Sequence, residues 1–152
     1  TCLFIMVHYS TNPCAISIKK YIGDENVDRV LKQLGFNNTT LNNSVPGANG
    51  DKWTTAYDEF KLFRSYYEGS LLNKKHTDHM LNLFRNQSFR TGIPAAVYPD
   101  TVADKIGFLG SLTHDAGIVY GDKYDYVLVI MTDGGSFWSI NALARQIHEL
   151  VR

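Results

Sequence analysis

The chain has 152 residues, 44% hydrophobic and 12% aromatic, and its 15 Lys and Arg balance its 15 Asp and Glu to a formal net charge of zero. That is one domain's length of chain, enough to bury a core. The charge balance excludes the basic excess of a nucleic-acid binder, and the low charge with plentiful aromatics excludes a disordered chain.

Residues 1–8 carry an apolar run, Leu3 to Val7. It is too short to cross a membrane, and it lacks the basic flank and small-residue cleavage site of a signal peptide. It reads as the end of a buried helix entered partway along, with Thr1 marking a processed or truncated start. Residues 9–12 are a polar break, and Pro13 opens a second helix where a missing N–H costs nothing. That helix carries Ala15, Ile16, Ile18, Tyr21 and Ile22 and stops at Gly23. Asp24 is placed to cap a third helix, whose Val27, Val30, Leu31 and Leu34 recur at helical spacing up to Gly35. Cys2 and Cys14 flank the break. A bridge between them is open if the two helices pack together, but the plain reading is two small buried thiols.

Residues 36–52 hold five Asn, two Gly and one Pro, which predicts a long polar loop. Thr54 or Thr55 caps the next helix, which runs through Tyr57, Phe60, Phe63 and Tyr67 to Gly69. Another helix spans roughly 74–86, with Met80, Leu81, Leu83 and Phe84 inward. Residues 90–100 read as irregular. Strands follow near 101–109, 115–121 and 125–132, separated by Gly-bearing turns. Residues 136–151 form a closing amphipathic helix with Ile140, Leu143, Ala144, Ile147 and Leu150 on one stripe. Helices, then an antiparallel sheet, then a last helix predict an α+β arrangement over residues 1–152, mainly helical in 1–100 and with the sheet and closing helix in 101–152.

Two short motifs carry the chemistry. Ser10-Thr11-Asn12 sits between two helices, and Lys105-Ile106-Gly107 lies on the first strand. Alone, the first is an ordinary cap and the second a strand lysine. In this order and on these elements they suit a serine acylation site, which needs a proton shuttle, a group to hold the substrate amide and donors for the oxyanion. Ser10 passes the proton and Asn12 orients the substrate backbone. Lys105 sets a positive field and keeps Ser10 primed. Gly107 lets the substrate lie close, and the Phe108 N–H serves as an oxyanion donor.

Other matches have plainer readings. Ser17-Ile18-Lys19-Lys20 spells Ser-x-x-Lys but follows the Ser-x-Asn, in a helix where exposed lysines are routine. Ser139-Ile140-Asn141 sits at a helix start, where it reads as a cap. His76, Asp78 and His79 decorate a solvated helix face rather than bind a metal. His114-Asp115 reads as a strand turn held by the Asp side chain. No cofactor or metal is called for.

From about residue 3 to its end the chain resembles the C-terminal two-thirds of the class A β-lactamase-like domain, shared with D,D-peptidases and penicillin-binding proteins. The resemblance is carried by STNPCAISIKKYIG, by WTTAYDEFKLFRSYYEGSLLNKKHTDHMLNLF, by VADKIGFLGSLTHDAGIVYG with YVLVIMT, and by NALARQIHEL. It implies Ser10 and Asn12 as the second signature of the penicillin-interacting serine hydrolases, and Lys105 and Gly107 as the third. Three departures stand out. The Ser-x-x-Lys that carries the nucleophile is missing. Ile106 stands where the family has a Thr or Ser whose hydroxyl helps hold the substrate carboxylate. Residues 36–50 contain no Glu or Asp to activate a deacylating water.

The resemblance therefore implies part of a serine hydrolase domain acting on peptidoglycan-type peptides or β-lactams in an extracytoplasmic setting, inactive unless another segment supplies the nucleophile. The alternatives are a catalytically inactive binding or scaffolding module of the same fold and a stand-alone α+β binding protein. An uncovered strand edge predicts a homodimer or a complementing N-terminal fragment as partner.

Overall fold

The computed structural model describes residues 1–41 and 52–152. Most of the predicted polar loop, residues 42–51, lies outside them. Three strands, β1 (Thr101–Leu109), β2 (Leu112–Tyr120) and β3 (Asp125–Asp133), form one antiparallel sheet in the order β1-β2-β3. Successive strands join by short turns, so neighbours in sequence are neighbours in the sheet. Leu109 pairs with Leu112 across a two-residue turn, in which Gly110 takes the left-handed φ of 58°. The second strand thus starts three residues earlier than expected, and His114 and Asp115 are strand residues rather than a turn.

Strand pleating sends alternate side chains to opposite faces. Val102, Val119, Leu128 and Ile130 meet Ile140 and Ala144 of the closing helix α7 (Phe137–Val151) on one face. Ala103, Ala116 and Ile118 belong to a second cluster on the other face, with Phe63 of α4 (Ala56–Glu68) and Leu83 and Phe84 of α5 (Lys74–Arg85). The caps follow local chemistry. Thr55 accepts from the Asp58 N–H, Asn73 from His76 and Ser136 from Ser139, each satisfying a donor the helix leaves free. Within 90–100, expected to be irregular, a buried single turn α6 (Ile93–Ala96) packs under α7.

The first three helices form where the sequence reading placed them, but the first, read as buried, is mostly exposed. They are α1 (Cys2–His8), α2 (Asn12–Ile22) and α3 (Asp24–Gln33). The cap of α3 is Gly23, with Asp24 its first residue, paired to Lys19 at 2.9 Å. Of α1 only Val7 is buried, and α2 and α3 bury no residue. Phe4, Ile5, Ile16, Ile22, Val30 and Leu34 are all exposed. Helical periodicity marks an apolar stripe but does not say what covers it, and here these helices pack mainly on one another.

The two thiols were expected to be free and buried; they are bridged. Packing of α1 against α2 brings the Cys2 and Cys14 Cα atoms to 5.1 Å, and the pair forms a disulfide, within the span such a bond needs. A bridge closing 12 residues of chain stabilises the fold by about 3 kcal/mol in the loop-entropy account. Reduction is therefore expected to lower the melting midpoint by roughly 6–12 °C, read by circular dichroism with and without reductant. Equal midpoints would mean that the bridge contributes nothing.

Candidate active site

The break between α1 and α2 is built to hold one serine. Ser10 alone among the described non-glycine residues has a positive φ, 53°, a left-handed conformation that costs a β-carbon-bearing residue about 1–2 kcal/mol. The segment is fixed on both sides, by the disulfide and by the Ser88 N–H donating to the His8 carbonyl at 2.8 Å. Held this way, Ser10 Oγ accepts from Lys105 Nζ at 2.6 Å, across 95 residues of sequence. Lys105 also donates to the Ile106 carbonyl at 2.7 Å. The two motif residues singled out from sequence thus meet. Because the ammonium donates to Ser10 Oγ, the serine hydroxyl proton remains free to point elsewhere. Burial pushes the Lys105 ammonium below the usual lysine range, an effect opposed by Asp104 and Asp115.

Lys105 and Gly107 open onto a cleft of about 210 Å³ between β1, β2 and the start of α4. Gly107 faces His114 in the strand register, and a Cβ there would stand 3.9 Å from His114 Cδ2. His114 Nδ1 accepts the Thr132 N–H at 3.2 Å, which assigns the ring proton of the neutral imidazole to Nε2. Thr54 and Glu59 form the facing wall. The Glu59 carboxyl is pushed above its ordinary range by burial, and Thr54 donates to it at 3.2 Å. A carboxylate therefore does border this cleft, from α4 rather than from the loop before it. Nothing in the letters around Glu59 distinguishes it from any first-turn acid.

Asn12 is exposed at the first turn of α2, and the Phe108 ring stands 61% exposed, against Phe89 and Phe137 at 6.4 and 6.2 Å. Ile106 is buried, and its aliphatic side chain offers no hydroxyl between Lys105 and Gly107. The Ser17 hydroxyl donates back to the Pro13 carbonyl at 2.9 Å, and Asp78 pairs with Lys74 at 2.7 Å beside exposed His76 and His79.

On the opposite face of β1 and β2 lies a pair that sequence reasoning missed. Asp104 and Asp115 are fully buried. Asp104 accepts from Arg90 at 2.5 Å and from Gln87, while Asp115 Oδ2 accepts the Ile93 N–H at 2.9 Å. Burial raises both carboxyls, Asp115 to about 6. In sequence they are two polar letters on strands, and only the packing of α6 and the α5–α6 connection shows them to be interior.

Solved structures share this fold. That of PBP-A superposes with a TM-score of 0.88 at 24% identity, covering 99% of this chain and 60% of that one. A variant of PBP-A, solved as an acyl-enzyme complex with penicillin G, gives the same figures. A β-lactamase from Sphaerobacter thermophilus DSM 20745 gives a TM-score of 0.87 at 18% identity, covering 99% of this chain and 63% of its own. The chain thus spans less than two thirds of the length of these structures. The comparison with curated protein sequences gave no match. The family described as the beta-lactamase enzyme family matches over residues 1–151. With that match across the sequence and this fold around Ser10 and Lys105, the chain belongs to the beta-lactamase enzyme family.

Proposed function

We propose that this chain supplies the proton-relay and substrate-positioning half of a serine acyl-transfer site, with the nucleophile brought by a Ser-x-x-Lys segment outside residues 1–152. The substrate is a peptidoglycan-type peptide or a β-lactam. The observation that carries this reading is the 2.6 Å contact between Lys105 Nζ and Ser10 Oγ. A positively charged donor on a serine hydroxyl favours the alkoxide-like character that a proton relay passes through. Ser10 carries the proton to the leaving amine, Asn12 and the open strand beside Gly107 hold the substrate, and the Phe108 N–H meets the developing oxyanion.

The chain works outside the cytoplasm in this proposal. The Cys2–Cys14 bridge supports that setting, because disulfides persist in oxidising compartments. No helix among the described residues is long and apolar enough to cross a membrane.

Ile106 favours a second reading, an inactive binding module, since a buried aliphatic side chain replaces a substrate-facing hydroxyl. One experiment separates the two. The chain is joined to, or co-expressed with, a segment carrying Ser-x-x-Lys and treated with a fluorescent penicillin. Covalent labelling that the isolated chain does not show is expected for an acyl-transfer site. Absence of label in the folded assembly would leave the binding module.

A further inference from the structure

We infer that the Cys2–Cys14 bridge is the positioning element that registers Ser10 against Lys105, so that oxidation of the two thiols assembles the site and a dithiol reductant dismantles it. The inference rests on the acyl-transfer reading for its rate readout, and not for its readout at Lys105.

The bridge encloses the first motif. The ring it closes runs from the first residue of α1 to the third of α2 and holds Ser10, Thr11 and Asn12 together. On the α1 side this ring is anchored twice. Val7 is 3% exposed and sits in the cluster with Phe63 and Phe84, and the His8 carbonyl accepts the Ser88 N–H at 2.8 Å. On the α2 side the anchors are few. That helix buries no residue and packs mainly on α1 and α3, and α3 buries none either. Its cap residue, Thr11, makes no side-chain cap bond, so the first turn lacks the usual fastening. The covalent link at Cys14 ties that turn to the anchored helix.

Ser10 needs that tie. Its φ of 53° is a conformation that a β-carbon disfavours. In an open segment the residue relaxes to the extended or right-handed regions. Rotation at this one residue swings Oγ away from Lys105 Nζ, which it meets at 2.6 Å. The Lys105 ammonium then keeps the Ile106 carbonyl, at 2.7 Å, as its partner. Closing the ring removes most of the alternatives before any substrate arrives.

The chemistry is thiol–disulfide exchange. Cys2 is exposed and Cys14 half-buried, so the bridge is open to attack. One thiolate of an external dithiol displaces a cysteine sulfur, and its second thiol resolves the mixed disulfide. The protein gains two electrons and two protons as a pair of thiols, and the reductant leaves as its own disulfide. In an oxidising compartment the bridge persists, so the site is complete there and incomplete in a reduced chain.

The chain joined to a Ser-x-x-Lys segment is compared as oxidised wild type, dithiol-treated wild type and Cys2→Ala/Cys14→Ala, each below its melting midpoint. Reductive methylation of the Lys105 amine, read by mass spectrometry, reports the Ser10 contact. Penicillin acylation reports the site. Loss of the bridge is expected to speed methylation and slow acylation by about 5–30-fold each, the factor that the bias against a left-handed serine implies. Reoxidation of wild type is expected to restore both. Gly110→Ala, strained at a turn with the bridge intact, is expected to keep both wild-type values. Unchanged methylation, acylation that proceeds at the same rate without the bridge, or equal changes in Gly110→Ala would overturn the inference. Faster methylation with no acylation in any state would sink the acyl-transfer reading and leave the positioning role standing. Should the double variant fail to fold, methylation is followed in time after dithiol is added to the oxidised protein. A rise before the far-ultraviolet signal falls supports the inference, and a rise that only accompanies that fall overturns it.

Discussion

Lys105→Ala is expected to lower the rate of penicillin acylation about 10²–10³-fold in the assembly that carries the nucleophile. That factor corresponds to about 3–4 kcal/mol, the usual loss when one preorganised donor is removed from an acyl-transfer site. Lys105 is the single described cation that donates to Ser10, at 2.6 Å. Alanine leaves the Ser10 hydroxyl without that donor and removes a positive charge that interacts with Asp104 and Asp115. Lys105→Arg separates the two contributions. Arginine keeps the charge at any pH but cannot present a single compact ammonium to Oγ. Burial lowers the lysine's folded pKa, so the alkaline limb of the wild-type rate comes below the ordinary lysine range. The arginine variant is expected to keep part of the rate and to lose that limb. Acylation rates against pH for the three proteins check this. A Lys105→Ala rate within threefold of wild type would remove Lys105 from the relay.

The two motifs were legible because each lies beside an unmistakable local signal. Pro13 marks the start of α2, and the period-2 run after Thr101 marks β1, so Ser10 and Lys105 could be placed on their elements before any contact between them was known. Their contact depends on a left-handed Ser10 and a bridged α1–α2 pair, and neither is encoded in a way that spacing reveals. The start of β2 was missed for a definite reason. His114-Asp115 has the letters of a turn, while the actual turn at Gly110-Ser111 is closed by Leu109 and Leu112. The same misreading hid the acid pair, because an aspartate taken for a turn is assigned to solvent. The stripes of α2 and α3 were legible as helices but not as exposed ones. Amphipathicity describes one partner of an interface and is silent about the other.

Gly117→Ala is expected to be the most damaging single-methyl addition in the described chain, costing about 3–4 kcal/mol. An added Cβ would lie 2.5 Å from the Ala103 carbonyl oxygen and 2.8 Å from Asp104 Cα, both backbone atoms of the paired strand. Neither is the free end of a side chain, so relief requires β1 to move away from β2. That movement pulls Asp104 from Arg90 and Gln87 and carries Lys105, the next residue, off Ser10. Stability and the site therefore fail together. Gly110→Ala supplies the comparison. Its φ of 58° disfavours a side chain, but nothing lies within 4 Å of the new Cβ, so the cost is only about 1–2 kcal/mol of backbone strain. Urea unfolding of both variants gives the ranking, and a penicillin-labelling assay of the assembled protein gives the coupling to the site. If Gly117→Ala unfolds no more readily than Gly110→Ala, the close approach of β1 and β2 at this point is not what holds Lys105 in place.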